Sequence, residues 1–546
     1  MLRDLSKADS VRQTVRADVV VIGAGLAGLM MAARLRRQGC RVVVLESGGQ
    51  TQTGDRHPLN EVVQSGQTYR GAEEGRFRCL GGTSTRWGGA MLPFPADDLA
   101  ARRVGWDADW PVAIDDLAGR FAEIEQIFGL PDGGFEIEDA IGTGAAAHGF
   151  RMRSAKWPTF RMRNVAHVLR RDIADARIDL WLNATATSFR LDEGGRLAAI
   201  TASGGSGREL TAEAPIFAIA AGAIESTRLL LVLDRQHGNN IFAPDGVLGR
   251  YFYDHLSAPA ATLSAVDRKA LVTALGLRFD ARGMRDCRIE PTAALRSRLA
   301  LPGAFAHLAA LAADDDGFTA LRAIYRAVQR RAYPDPRSFA SLARNVGWLA
   351  EAGWWRLANG RLLPPPEARF ELALVTEQMP HPDNRIMLSA DRRDIHGAPL
   401  AKIDWRIREP DLEAFRSLQL ALLRFWRDSA LRTLAVPLPT PFEIWRGRMN
   451  EGGGIFHPGG STRMGTSRAR AVVDGDLRTF GVRNLYVVST STFPSGGSAN
   501  PSFMLMAFAL RAADRIAAAL RPNAPVGTAD CARVRAASGA AAGHKE

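Results

Sequence analysis

The sequence predicts an α/β protein, α+β overall, in which a unit of alternating strands and helices joins a region with a mostly antiparallel sheet. Two observations lead to this fold class. Short, wholly apolar runs near the N-terminus flank a helical segment, which indicates buried parallel strands. The middle of the chain instead alternates apolar and polar residues, which is typical of strands with one covered face.

Length and composition exclude several protein classes. The chain has 546 residues, of which 46% are hydrophobic and 23% charged, as in ordinary globular proteins. No run approaches the ~18 consecutive apolar residues of a spanning helix, and the N-terminus lacks the apolar core of a secretion signal. We therefore expect a cytoplasmic protein, and membrane association is not expected.

The basic residues and the cysteines do not point to a nucleic-acid or metal-binding protein. The net charge of +12 comes almost wholly from Arg, with only five Lys, and no basic run is long enough to form a nucleic-acid arm. The four cysteines are sparse and show no paired spacing. Neither a metal site nor a disulfide framework is expected.

The first organised segment is a strand, a helix and a second strand. Val19–Ile22 and Val42–Leu45 are predicted as buried parallel strands. Leu26–Arg37 between them has helical spacing of apolar and basic residues, and Gly39 is a suitable helix stop.

Three glycines at the first strand–helix junction have the GxGxxG spacing. A side chain at Gly23 would obstruct the turn, one at Gly25 would keep a pyrophosphate away, and one at Gly28 would separate helix from strand. Glu46 ends the second strand and can accept hydrogen bonds from a ribose. The segment predicts dinucleotide binding, with NAD and FAD both open at this point.

A second glycine cluster lies in residues 80–94, LGGTSTRWGGAMLPF. Gly81, Gly82, Gly88 and Gly89 surround small hydroxyl residues, which suits close approach of the backbone to a flat or phosphorylated ligand. A plain loop is the alternative. A second glycine-rich contact favours a permanently bound FAD over an exchanging nicotinamide.

The C-terminal part of the chain contains two candidate active-site residues. His457 precedes two glycines, and Asn500 follows 43 positions later, just before a helix whose apolar positions run from Met506 to Leu520. Residues 484–488 are predicted as one more buried strand, and ligands bind where such a strand leads through a loop to a helix. His457 and Asn500 are therefore expected to meet.

Several segments in a fixed order resemble the glucose-methanol-choline (GMC) flavin oxidoreductase family. They are GAGLAG, LGGTSTRWGG, IFAIAAGAIESTRLLL, GRYFYDH and the stretch from HPGGSTRMG to NPSFMLMAFALRAADRI. The resemblance implies FAD as cofactor. It also implies that His457 is the active-site histidine and Asn500 the second active-site position.

The motifs and the resemblance together define a set of expected FAD contacts. These positions are Gly23, Gly25, Gly28, Glu46, Gly81, Gly82, Thr83, Ser84, Trp87, Gly88, Ala186, Ala221, Gly222, Ser489, Pro501 and Ser502. No metal ligand is among them.

Three positions depart from the family's pattern. Ser489 stands where the family usually has an Asp, which puts that flavin contact in doubt, and Met504 replaces a usual Thr. Arg86 occupies the place of a flavin-linking His in some members, and its side chain cannot form that bond. Non-covalent FAD is therefore expected.

The expected domain organisation follows from the same motifs. Residues 17–258 form the N-terminal part of a Rossmann-like FAD-binding domain, with an inserted segment at about 97–165. Residues 259–454 form a substrate-binding domain with a mostly antiparallel sheet and helices. Residues 455–521 return to the FAD-binding domain, and 522–546, poor in apolar residues, are expected to be disordered.

Alternating positions in the middle region predict the strands of that sheet: Phe370, Leu372 and Leu374, then Ile403, Trp405 and Ile407. Residues 301–366 are helical and rich in Arg and Trp, and three interpretations compete: a lid over the site, a partner surface and an interfacial membrane helix. Asp254 and His255 are expected to be structural, because they lie outside the segments that should flank the flavin ring.

The function predicted from these features is oxidation of a CH–OH group of a small-molecule alcohol by hydride transfer to FAD. His457 would act as base and Asn500 would orient the substrate oxygen. A sugar or polyhydroxylated metabolite is favoured, and oxygen and other electron acceptors both stay open. The alternatives are a lyase or light-driven decarboxylase that keeps FAD, and a non-catalytic flavin-binding partner protein.

Overall fold

A computed structural model describes most of the chain. The described residues are 1–52, 54, 56–100, 109–137, 144–205, 207–242, 246–312, 317–329, 333–450 and 456–521. The tail at 522–546, which was expected to be disordered, lies outside them.

A six-stranded parallel sheet forms the centre of the nucleotide-binding part. Its strands, in spatial order, are Leu2–Asp4, Ile178–Leu182, Val42–Leu45, Val19–Ile22, Ile216–Ile219 and Leu485–Val487. The second to fifth of these consist mainly of apolar side chains that are buried on both faces, as parallel strands under helices require. The strands predicted at Val19–Ile22 and Val42–Leu45 are confirmed, and the third prediction is right to within one residue at each end.

Helices cover this sheet. Leu26–Arg37 begins directly after Gly25 and packs against Ser502–Leu520. The helices that follow the N-terminal and C-terminal motifs therefore lie side by side. The other described α-helices are Ala96–Leu99, Asp115–Ala118, Phe121–Phe128, Val165–Val168, Arg170–Ile173, Ala223–Gln236, Arg268–Leu275, Ala293–Leu299, Gly317–Gln329, Pro336–Arg344, Val346–Asn359, Glu409–Asp428 and Phe442–Asn450.

The second large sheet of the structure has six strands and is antiparallel throughout. In order, they are Ala435–Pro439, His255–Ala265, Arg369–Glu377, Ala304–Leu311, Arg288–Pro291 and Phe150–Arg153. One face meets the helix Glu409–Asp428, whose Gln419 amide donates to the Ala260 carbonyl at 2.7 Å. The alternation at Phe370, Leu372 and Leu374 is confirmed, since these side chains lie in that apolar core.

The second predicted strand belongs to a different sheet. Ile403 and Trp405 lie on Pro399–Trp405, which pairs in parallel with Val62–Gly66 and antiparallel with Arg385–Arg393, while Ile407 lies beyond its end. Placing it in the antiparallel sheet was therefore wrong. Alternation identifies a half-covered strand, but the strand's partner comes from a distant segment that the pattern does not specify.

Two smaller sheets complete the described strands. One is Arg12–Arg16, Glu209–Glu213, Leu197–Ser203 and Thr185–Leu191, and the other is Arg278–Asp280, Gly283–Arg285 and Lys156–Pro158. Strand His255–Ala265 runs across the expected boundary at 258/259, and the division into domains stays a prediction.

Three helices between residues 317 and 359 form most of the Arg- and Trp-rich segment. The first of them contacts the region near residue 160, where the rings of Phe160 and Tyr325 lie 4.6 Å apart. The third exposes Trp354 and Leu357. Within the described ranges, no helix combines the length and apolar character needed to cross a membrane.

Candidate active site

The glycines of the first strand–helix turn have three different environments. A Cβ at Gly23, where φ is +105°, would lie 2.5 Å from the Ala220 carbonyl oxygen, and one at Gly28 would lie 2.0 Å from the Gly23 carbonyl oxygen. Both positions therefore exclude a side chain because backbone packs there. At Gly25 the nearest atom is the Cα of Gly82, 4.0 Å away, so this position faces open space.

The second glycine cluster lies directly against the first. A Cβ at Gly82, where φ is +54°, would come within 2.9 Å of the Gly25 Cα. The Gly81 amide donates to the Ala24 carbonyl at 2.9 Å, which joins the two turns. Gly82, Thr83, Ser84 and Trp87 of this cluster line the same cavity as the GxGxxG turn, and their role in nucleotide binding stays a prediction.

A long cavity runs from these two turns to the C-terminal motif. The expected contact positions that line it are Gly23, Gly25, Glu46, Gly82, Thr83, Ser84, Trp87, Ala186, Ala221, Gly222, Ser489, Pro501 and Ser502, together with the candidate base His457. Gly28, Gly81, Gly88 and Asn500 do not line it. Asn500 lies next to the cavity through its contact with His457.

Glu46 is buried at the nucleotide end of the cavity. Its two carboxylate oxygens accept hydrogen bonds from the amides of Ala24 at 2.8 Å and Gly48 at 2.9 Å. Burial raises the pKa of this carboxyl above its ordinary value. The Ser47 hydroxyl also donates to Oε1 at 3.4 Å. Oε2 has a second lone pair that can accept from a ribose hydroxyl.

Two arginines beside the cavity were not predicted from the sequence. Arg78 donates to the Asn60 side chain at 2.7 Å and pairs with the buried Glu225 at 3.0 Å. Arg76 is also buried, and burial lowers its pKa to about 10. Their position just before the second glycine cluster was the available signal, but Glu225 lies 147 positions away and gave no local hint of pairing.

His457 and Asn500 are in direct contact. The Asn500 Nδ2 donates to the His457 Nε2 at 3.0 Å. The Asn500 Oδ1 is buried and, among the described residues, has no hydrogen-bond partner. An unpaired buried amide oxygen is costly, so its presence beside an imidazole marks a place for a ligand hydroxyl.

A carboxylate positions the loop that precedes Asn500. Glu377 accepts from the amides of Gly303 and Gly497, each at 2.6 Å, and so joins this loop to the antiparallel sheet. Asp98 accepts from the amide and hydroxyl of Ser498, both at 2.7 Å. The approach to Asn500 is therefore held by charged hydrogen bonds from two other segments.

Asp254 and His255 contact His457 of the candidate active site, although they lie outside the segments expected to flank the flavin ring. Their expected structural role stays a prediction. One oxygen of Asp254 accepts from the backbone amides of His255 at 2.6 Å and His457 at 2.5 Å, and the other accepts from the Tyr69 hydroxyl. The rings of His255 and His457 meet at their Nδ1 atoms, 3.3 Å apart. The strand that begins at His255 carries these residues to the site.

The electrostatic environment keeps His457 neutral. Burial, with further contributions from His255 and Arg288, holds the pKa of His457 well below its ordinary value. Burial also raises the pKa of Asp254 to about 7. An imidazole that is neutral at physiological pH can accept a proton.

Sequence comparison assigns the family. The GMC oxidoreductase profile matches residues 380–509, and an NAD(P)-binding Rossmann-like profile matches residues 21–71. The chain belongs to the GMC oxidoreductase family. It is accordingly an oxidoreductase, and the predicted α/β class with an additional antiparallel sheet is confirmed.

Relatives of this GMC oxidoreductase match over nearly their whole length at low identity. It is 22% identical to 2-methyl-1,2-propanediol dehydrogenase of Mycolicibacterium austroafricanum, covering 92% of this chain and 95% of the relative. It is 26% identical to paromamine 6'-oxidase of Streptomyces fradiae, covering 92% and 91%. Pyridoxine 4-oxidase from Mesorbium loti has the same fold, with a TM-score of 0.56, 16% identity and coverage of 91% and 98%.

The residues along the cavity fit the flavin that the family implies. At one end of the cavity the glycine turns present backbone amides without side chains. A Cβ at Gly222 would meet no atom within 4 Å, so the cavity has open space at this residue too. Glu46 presents a carboxylate to the cavity, and Pro501 and Ser502 line it together with His457. Within the described part of the chain, no cluster of ligating side chains could hold a metal ion.

We predict that Gly82→Ala weakens flavin binding by ~10-fold or more. The new Cβ would overlap the Gly25 backbone, and a left-handed φ disfavours alanine by about 1–2 kcal/mol. Gly88→Ala is the matched control, because a Cβ there meets nothing within 4 Å. Flavin content by absorbance and FAD titration of the apoprotein measure the effect; equal affinity in both variants would contradict the contact assigned to Gly82.

Proposed function

We propose that this protein oxidises a CH–OH group of a small-molecule alcohol, with FAD as the hydride acceptor. The observation that supports this most directly is the contact of the His457 Nε2 with the Asn500 Nδ2 at one end of the flavin cavity. An acceptor nitrogen and a donor amide 3.0 Å apart are the two groups that a substrate hydroxyl needs.

His457 is the proposed base. A bound flavin supplies an acceptor for the hydride that leaves the carbinol carbon, and the carbonyl product forms once the hydroxyl proton is also lost. His457 takes that proton on its Nε2 atom. Because the half-buried imidazole is neutral, it accepts the proton without first losing one to solvent.

Asn500 is proposed to hold the substrate oxygen. The hydroxyl group replaces the Asn500–His457 hydrogen bond: its oxygen accepts from the Asn500 amide while its proton is directed to His457. An amide does not exchange protons at neutral pH, so orientation and proton transfer belong to separate residues. The unpaired Oδ1 of Asn500 is then available to a second hydroxyl of the substrate.

A polar or polyhydroxylated substrate is supported by the face of the antiparallel sheet opposite the apolar core. His255 and Arg288 each adjoin a core residue on their strand and therefore project from this other face. The Arg288 guanidinium pairs with Asp286 at 2.8 Å and stacks on Phe305, while its Nη1 is buried without a hydrogen-bond partner among the described residues. Such a donor suits a substrate oxygen.

Non-covalent attachment of the flavin is supported by the surroundings of Arg86. Its guanidinium donates to the Gly54 carbonyl at 2.7 Å and lies 4.7 Å from the centre of the Phe77 ring. A guanidinium is not a nucleophile at neutral pH, because it stays protonated.

We predict that an alcohol from a library of sugars, polyols and simple alcohols bleaches the yellow protein in the dark without oxygen. His457→Ala should retain FAD but bleach at least ~10²-fold more slowly. Stopped-flow absorbance measures the rate, and recovery of colour with peroxide on readmitting air identifies an oxidase. Bleaching at an unchanged rate would refute the base role, and a flavin that no alcohol bleaches would favour the lyase or decarboxylase alternative.

We predict that acid precipitation releases all of the flavin into the supernatant, because no covalent bond forms at Arg86. Absorbance of supernatant and pellet is the measurement. Flavin colour retained in the washed pellet would contradict non-covalent binding.

We predict that Arg288→Gln raises KM for a polyhydroxylated substrate by ~10-fold or more and changes kcat much less, because a charged hydrogen bond to the substrate is lost while Arg288 makes only a minor contribution to the pKa of His457. Arg285→Gln is the control, since Arg285 lies on the preceding strand of the chain, in a different sheet, and donates to the Gly134 backbone at an exposed position. Steady-state kinetics separate KM from kcat. An unchanged KM would remove Arg288 from the substrate site.

A further inference from the structure

A chain of three contacts leads from a backbone carbonyl to the candidate base. The His255 Nε2 lies 3.0 Å from the Gly497 carbonyl oxygen. A carbonyl oxygen can only accept a hydrogen bond, so the Nε2 of His255 carries a proton. The first ring of the chain therefore has a defined tautomer.

The second contact links the tautomer of His255 to that of His457. Burial lowers the pKa of His255, so the ring is neutral and its Nδ1 bears a lone pair. The Nδ1 of His457, at 3.3 Å, must then be the donor of this contact. The two rings meet edge to face, at an angle of 90° between their planes.

The third contact is consistent with the same arrangement. With its proton on Nδ1, neutral His457 has its lone pair on Nε2, and that atom accepts from the Asn500 amide at 3.0 Å. We propose that His255 is a positioning residue that fixes the tautomer of His457, so that Nε2 is the nitrogen free to take the substrate proton. This inference rests on the base role proposed for His457.

Backbone contacts hold the two histidines in register. One oxygen of Asp254 accepts from the amides of both His255 and His457. Glu377 accepts from the Gly497 amide, so the carbonyl at the start of the chain is held as well. A tautomer imposed through a hydrogen bond needs such fixed partners, because the bond made by one ring nitrogen decides which nitrogen carries the proton.

Two substitutions separate this role from simple packing. His255→Asn keeps an oxygen near the position of Nδ1 and can still accept from His457, but it does not reach Gly497. His255→Gln keeps a donor near the position of Nε2 for the Gly497 carbonyl but loses the acceptor for His457. A role in holding the 495–498 loop would favour Gln, whereas the tautomer role favours Asn.

We expect His255→Asn to reduce its flavin within ~3-fold of the parent rate and His255→Gln to be slower by ~10-fold or more, because a base in the wrong tautomer cannot accept the proton. Anaerobic stopped-flow reduction of the holoenzyme measures both, with flavin content and unfolding temperature as folding controls. Equal rates in the two variants, or faster reduction in Gln than in Asn, would overturn the proposal.

The tautomer can also be observed directly in the unsubstituted holoenzyme. In holoenzyme labelled with ¹⁵N-histidine, with His457→Ala used to assign the signal, the His457 ring should carry its proton on Nδ1. A proton on Nε2 would overturn the proposal. The result is separate from the base role, because an unchanged reduction rate in His457→Ala refutes that role whichever tautomer is observed.

Discussion

The buried carboxylate of Asp254 connects the two parts of the molecule on which the active site depends. It accepts the backbone amide of its neighbour His255 and that of His457, which is 203 positions away. The first residue begins a strand of the antiparallel sheet, and the second begins the segment that returns to the flavin cavity. The hydrogen bond that His457 accepts from Asn500 and its contact with His255 require that these backbones stay in place. Tyr69 completes the coordination of the carboxylate from a third segment.

Burial has opposite consequences for the pKa of the imidazoles and of the carboxyl around this connection. It lowers the pKa of the two imidazoles and raises that of the Asp254 carboxyl to about 7. The histidines are therefore neutral, and a hydrogen bond between groups that are removed from bulk solvent is stronger than in solution. Near the nucleotide end the buried Glu225 instead has its pKa lowered by Arg228 and Arg78, which oppose the effect of burial. The cavity thus combines a neutral end and an ion-paired end.

The local sequence pattern predicted secondary structure correctly wherever that structure depends on a single segment. The apolar runs at residues 19–22 and 42–45 form the predicted strands, and the apolar periodicity near the C-terminus forms the helix Ser502–Leu520. The glycine spacing predicted that a side chain would meet backbone at Gly23 and Gly28, whereas Gly25 would leave room for a ligand. The distances from a Cβ placed at each position agree. The local pattern could not predict which distant segments pair with each other. The strand with Ile403 joins Val62–Gly66, and Arg78 meets Glu225, because each partner is chosen by packing across the fold.

The sequence by itself determined the type of fold, the glycine turns of a dinucleotide site and the identity of the two side chains expected at the reacting centre. These properties follow from residue type and short-range spacing, which restrict the backbone locally. Only the tertiary structure decided that the two glycine clusters touch and that Asn500 donates to His457. It also decided that the Nδ1 atoms of His255 and His457 are in contact. Hydrogen bonds depend on distances of a few tenths of an ångström, and segments far apart in the chain reach such distances only through the packing of whole sheets and helices.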